Sequence, residues 1–182
     1  MTELTRRLQR LDLAPNRPAI EVNEEVARVL KEFGYDIALY DYERPWGGFN
    51  QLANNNADAF IEEFFPGLSP EEARLGHGDF ALSPKILTVA PEKRLSWQYH
   101  DRRAERWTYL TEGGYYKSLT DKQGEQQFAN AGDVVQFERA ERHRLVGAVG
   151  HYTLVAEIWQ HTNPRELSDE ADIVRLADDF KR

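Results

Sequence analysis

Between Trp97 and Trp107 the chain reads WQYHDRRAERW, which sets a glutamine, a histidine, three arginines and two acids between two tryptophans. Alternate residues of a strand share a face, so Gln98 and His100 point one way while Trp97 and Tyr99 point the other. Glu105, five residues past His100, can return from the next strand, and GDVVQFERAERH supplies a second imidazole at His143. If those strands are neighbours, four nitrogen and oxygen donors converge. Two imidazoles with an amide oxygen and a carboxylate suit zinc, iron, nickel, copper or manganese without selecting one. The competing reading makes His100 and His143 ordinary hydrogen-bonded strand residues and Glu105 the partner of Arg103 or Arg106. Spacing alone leaves both open.

Such donors need a frame, and the chain from Pro84 onward provides strand after strand. KILTVA, RLSWQYH, RWTYLT, GYYKSLT, QQFANA, DVVQFE, HRLVGAV and YTLVAEIWQ are separated by the breakers PEK, EGG, DKQG, AGD and ERAER. That rhythm predicts an antiparallel sandwich or barrel. Ahead of it, PAIEVNEEVARVLKEFG at 18–34 has helical spacing of Ile20, Val26, Val29, Leu30 and Phe33, with Gly34 as its stop. Ile37 to Tyr42 reads as a strand running into the turn RPWGG at 44–48. Residues 56–76 predict two short helices split at Pro66-Gly67, the second opened by Ser69, Pro70 and Glu72 as a capping box. ELSDEADIVRLADDFKR, with a candidate cap at Ser168, is either a helix or an arm laid on the barrel. One domain over 1–182 is expected: a helical extension at 1–43, a helical insertion at 50–83, core strands at 84–160 and a C-terminal arm at 161–182.

Bulk composition narrows the partners. Hydrophobic residues make up 41% of the 182 and aromatics 12%, enough for a packed core. A net charge of -8 and a pI near 5.2 argue against a broad grip on nucleic acid or anionic lipid. No cysteine is present, which removes disulfides and thiolate ligands and leaves nitrogen and oxygen to hold any metal. With no signal-like or membrane-length apolar run, a cytoplasmic protein is expected.

GDVVQFERAERHRL is similar to the second cupin motif and WQYHDRRAERWTYLTEG to the first. The Gln-x-His form followed by Arg-x-Glu-x-Trp resembles the mannose-6-phosphate isomerases, particularly the cupin domain of their type II form. RPWGG at 44–48, KILTVAPEKRLSWQYH and DIVRLADDFKR resemble further segments of that family, so the likeness covers residues 44–49 and 84–182. It implies a mainly β jelly-roll barrel carrying N-terminal and inserted helices. It also implies a divalent metal, zinc first and manganese, cobalt, nickel or iron as alternatives, held by Gln98, His100, Glu105 and His143. Arg44, Arg103 and Arg175 become candidates for the substrate pocket. His100-Asp101-Arg102 stands where type II proteins often read three histidines, and Glu138 and Ala140 replace the usual proline and glycine of the second motif. Residues 1–43 hold no glycine-rich phosphate loop, so GTP-dependent sugar activation is not expected.

The activity implied is aldose–ketose isomerisation through an enediol, with mannose 6-phosphate and fructose 6-phosphate as the leading pair. Its proton shuttle would be Glu112, Glu138, Glu157 or His151, which the sequence does not rank. Arginine's planar fork matches phosphate oxygens, and Trp46, in a turn, is the tryptophan best placed to stack on a sugar. An isomerase of a free sugar such as a pentose, and a non-catalytic sugar-binding cupin, are the alternatives. By analogy with such cupins a homodimer is expected. The insertion at 50–83 would be a lid, a dimer contact or a wall that narrows the choice of sugar.

Overall fold

The computed structural model describes residues 2–181. Helices α1 (Glu3–Gln9), α2 (Ala19–Glu32), α3 (Ala57–Phe64) and α4 (Pro70–Ala73) accompany eleven strands. The first three strands are β1 (Ile37–Arg44), β2 (Gly47–Leu52) and β3 (Lys85–Val89). Next come β4 (Trp97–Tyr99), β5 (Arg103–Tyr109), β6 (Gly113–Ser118) and β7 (Gln127–Ala129). The chain ends with β8 (Val134–Phe137), β9 (Arg142–Gly147), β10 (Thr153–His161) and β11 (Val174–Ala177).

They form two antiparallel sheets, ordered β1-β2-β3-β10-β5-β8 and β11-β4-β9-β6-β7. The expected mainly β sandwich with helical additions is therefore present. Its sheets draw on more of the chain than 84–160, because β1 and β2 extend the first sheet and β11 the second. The C-terminal segment is an arm that adds a strand, and Ser168 caps no helix. Leu176 and Ala177 continue it in extended conformation. The capping box at Ser69 forms as predicted, its hydroxyl accepting from Glu72 N–H while Glu72 reaches back to Ser69 N–H.

Two apolar regions lie on opposite faces of the larger sheet. Leu8, Val26, Leu30, Phe60, Ile61 and Phe64 from the helices pack on Ile86, Leu154, Ala156 and Ile158. Within α2 the buried stripe runs through Val22, Val26, Val29 and Leu30, while Ile20 and Phe33, expected on that face, are exposed. Between the sheets Leu87, Val89, Trp107, Tyr109, Phe137, Leu145 and Val155 form the second cluster. The insertion backs the far face of the sheet, with Phe60 and Ile61 fully buried there, and since no residue of 50–83 lines the cleft between the sheets it is not a wall that narrows the choice of sugar. No helix among the described residues is long and apolar enough to cross a membrane.

Candidate metal centre

The chain changes sheets between His100 and Glu105. β4 lies in the smaller sheet and β5 in the larger, so the two side chains face each other across the sandwich. On the β4 side Gln98 is the register partner of His143 on β9, which puts the second imidazole beside the first motif. His100, Glu105 and His143 are all buried, and one ligand atom from each lies within 4.8 Å of the others. His100 Nε2 is 3.1 Å from Glu105 Oε1, and His143 Nε2 is 3.3 Å from Oε2.

Those distances acquire meaning from the other ring nitrogens. His100 Nδ1 meets the backbone carbonyl of Asp172, and His143 Nδ1 lies 2.9 Å from that of Glu141. Carbonyls only accept, so each Nδ1 carries a proton and Nε2 is the nitrogen that each ring turns toward Glu105. Burial lowers the His100 pKa below its ordinary value against the attraction of Glu105, which keeps that ring neutral. Burial also opposes ionisation of Glu105, yet the charges of its neighbours hold it well below the carboxylate range. His100 and then Arg103 contribute most to that lowering, and Arg103, charged whatever the state of the imidazoles, donates to Glu105 from Nε at 2.9 Å. His100 Nε2 faces the Glu105 carboxylate but also accepts from Arg103 Nη2 at 3.2 Å, whereas His143 Nε2 is buried without a hydrogen-bond partner. The unpartnered nitrogen beside a buried carboxylate is the place that lacks a cation, and the His-Glu-His donor set fits a divalent one.

Gln98 stands at the edge of this set. Its Oε1 accepts from Ser96 Oγ, while its Nε2 is 3.4 Å from His100 Nε2. A half-turn of the terminal amide would exchange the two ends and aim the oxygen inward.

A cleft of about 590 Å³, its mouth included, opens above the cluster between β2, β3, β10 and the C-terminal arm. Gln98, Glu105, Arg103, Arg44, Trp46, Arg175 and Glu157 all line it. Of the four proton-shuttle candidates only Glu157 lies there. Glu112 is an exposed turn residue paired at 3.9 Å with the half-buried His151, and Glu138 is exposed in the β8–β9 turn. These three are set aside on position. Glu157 accepts from the indole N–H groups of Trp107 at 3.0 Å and Trp159 at 3.2 Å. Burial, then the nearby charge of Glu105, raises its pKa to about 7, against the attraction of Lys85 and Arg103.

The arginines divide. Arg103 is 5% exposed, and besides Glu105 and His100 Nε2, the latter at 3.2 Å, it donates to Ser168 Oγ at 2.8 Å and to the carbonyls of Asp169 and Asp172. Its plane also stacks 3.7 Å from the Trp159 ring centroid. With its donors engaged, Arg103 braces the ligands and has little left for a substrate. Arg44 Nε is 2.7 Å from Asp41 at the rim, but the N–H is not aligned for a hydrogen bond. Arg175, on β11 opposite Gln98, is exposed and has no ion-pair partner among the described residues. The RPWGG turn seats Arg44 and the buried Trp46 because its glycines come too close for a side chain: a Cβ on Gly47, at φ +139°, would lie 2.0 Å from Thr88 O.

Lys85 and the arm's Glu170 did not stand out in the sequence. Lys85 Nζ is buried in the cleft, 3.0 Å from Glu170 and 3.7 Å from the Trp159 ring centroid. A signal existed: alternation in KILTV puts Lys85 on the inward face with Leu87 and Val89.

No protein-family model matches the chain, and no curated protein matches it. Among solved structures, CapF of Staphylococcus aureus, a capsular polysaccharide assembling protein, is similar at a TM-score of 0.51 and 10% identity, over 94% of this chain and 42% of that one. This chain thus spans less than half of that protein. A cupin 2 conserved barrel domain protein of Salinispora arenicola matches at 0.44 and 16% identity, over 69% and 83% of the two chains. A candidate sugar phosphate isomerase of Acidithiobacillus ferrooxidans matches at 0.40 and 18%, over 46% and 53%, so this chain spans about half of its length. The fold is a mainly β sandwich of two antiparallel sheets with added helices, with a His-Glu-His cluster able to hold an ion.

Proposed function

We propose that the protein is a metal-dependent aldose–ketose isomerase, with mannose 6-phosphate and fructose 6-phosphate as the leading pair. One observation carries the reading: a carboxyl group poised near neutrality, Glu157, lines the same cleft as Gln98 and Glu105, the latter a member of the His100-Glu105-His143 set. Bound there, with Gln98 alongside, a divalent ion, zinc first, would supply Lewis-acid polarisation of the sugar's C1 and C2 oxygens.

Glu157 is the group that moves the proton. A carboxylate with a pKa of about 7 can accept the C2 proton of the open aldose and return it to C1 with little penalty in either direction, while the O2 hydroxyl proton passes to O1, so that the enediol goes on to the ketose. The two indole N–H bonds hold its plane, and the Trp159 and Trp46 rings wall the cleft against water. Arg44 and Arg175 at the rim suit the phosphate of a sugar phosphate, being the cleft's arginines with donors to spare.

The test is to strip the protein of metal, add back zinc, manganese, cobalt, nickel or iron, and follow interconversion across a panel of aldoses and their phosphates. Turnover that returns with metal is expected, and no turnover with any sugar would sink the reading. Arg44→Ala should raise KM for the phosphosugar about tenfold, roughly the loss of one charge-assisted hydrogen bond, and leave a free sugar unaffected. Equal effects on both would remove Arg44 from that role and favour a free-sugar substrate.

A further inference from the structure

The groups that fix the two imidazoles differ in where they come from. The carbonyl that holds His143 belongs to Glu141, two residues away, so a local turn suffices. The carbonyl that holds His100 belongs to Asp172, 72 residues further along, in the C-terminal arm. Asp172 is tied down by its own side chain. Its buried carboxylate accepts the backbone N–H groups of Asp101 at 2.9 Å and Arg102 at 3.1 Å, together with the Ser168 hydroxyl at 2.6 Å. The Ser168 hydroxyl oxygen in turn accepts from Arg103, the residue that braces Glu105. Residues 168–172 therefore grip the turn behind His100 and the support of Glu105 at once.

We propose that this segment is a latch that sets the His100 tautomer and couples docking of the C-terminal arm to metal binding, with Asp172 as its positioning residue. The inference rests on the metal half of the function proposed above and not on the sugar. With the arm docked, the Nδ1 proton is held on the Asp172 carbonyl and the Nε2 lone pair faces Glu105. With the arm released, the ring loses that acceptor, Arg103 loses three of its partners, and neither ligand is held in place. Whatever binds the docked state alone must also stabilise docking, so metal and arm favour each other by the same factor.

Three measurements test this, with Co²⁺ as the probe. Titration followed by visible absorption should show Asp172→Ala binding 10- to 100-fold more weakly than the parent, the usual scale for losing the support of a ligand histidine, with Ser168→Ala in between. In metal-free protein the ¹⁵N shifts of His100 should report protonated Nδ1 in the parent and a mixture of tautomers in Asp172→Ala. In the parent protein, amide exchange across 101–102 and 168–172 should slow on adding Co²⁺, while α1, packed on the other face of the larger sheet, stays unchanged. A merely structural role would lower the melting temperature and leave the affinity of the folded protein and the tautomer alone. Unchanged Co²⁺ affinity in folded Asp172→Ala, or arm exchange indifferent to Co²⁺, overturns the latch. Should the variant not fold, parent exchange decides. A parent that binds no Co²⁺ removes both latch and isomerase, whereas Co²⁺-dependent arm protection without sugar turnover removes only the isomerase.

Discussion

Strand β10 is buried along its whole length, yet its two faces have opposite chemistry. Leu154, Ala156 and Ile158 meet the helices in a wholly apolar layer, while Val155, Glu157 and Trp159 face the space between the sheets. The helix face needs no explanation beyond removal of apolar surface from water. A buried carboxylate in a second core does, because its desolvation is only partly offset by Lys85 Nζ at 4.0 Å and an apolar side chain of similar volume would pack there. The difference separates what holds the sheet from what the sheet was built to hold. The same division runs through β3, where Ile86 packs outward on the helices and Lys85 and Leu87 line the cleft.

The sharpest way to break the comparison is on the inner face. His143→Ala or Glu105→Gln should lower divalent-metal affinity by a thousandfold or more, about 4 kcal/mol, as read by competition with a chelator. Circular dichroism should stay that of the folded sandwich. Retained affinity in either variant would return the cluster to an ordinary hydrogen-bonded network. On the outer face the expectation reverses: Ile158→Ala should cost about 3 kcal/mol of unfolding free energy in urea, from lost burial and the cavity left behind, with metal affinity in the folded protein unchanged.

Glu157 tests whether the inner face carries a cost. Its carboxyl sits at about 7 in the fold, against 4.5 ordinarily, so between those values the folded protein keeps a proton that the unfolded chain has released. The unfolded state then binds fewer protons, and stability falls as pH rises through 4.5 to 7, by up to about 3 kcal/mol in metal-free protein. Glu157→Gln should remove that fall. Urea unfolding of both proteins at the two ends of the window checks it. Parallel curves would mean that Glu157 ionises freely and is not the poised group.

Alternation found much of this site in the sequence, because facing direction along a strand is local. Gln98 with His100 is an instance, and the same rule could have singled out Glu157 from Glu112, Glu138 and His151, since only Glu157 alternates with Val155 and Trp159 inside a strand apolar on its other face. What it could not show is which strands meet. That Glu105 lies in the opposite sheet from His100 depends on the chain crossing at Asp101-Arg102, a turn held by Asp172 from far along the chain. Arg103 shows the same limit: it lines the cleft, but its partners Ser168, Asp169 and Asp172 come from the arm, and without them it reads as a freely available cation.

The smallest expected effect lies at a departure from the second cupin motif. Ala140 stands where that motif usually has glycine, in the β8–β9 turn, and its φ is +62°. A side chain there costs about 1–2 kcal/mol, while glycine would add back unfolded-state entropy worth about 0.4–1 kcal/mol. Ala140→Gly should therefore stabilise the protein by about 0.5–1 kcal/mol. The turn is not idle, because Ala140 N–H donates to the carbonyl of His100 at 2.8 Å, so relaxing it touches the backbone of a proposed ligand. If stability rises and metal affinity stays constant, the departure is a tolerated strain belonging to the frame. If affinity falls as stability rises, the strain at Ala140 helps to hold His100, and the boundary between frame and site moves out to that turn.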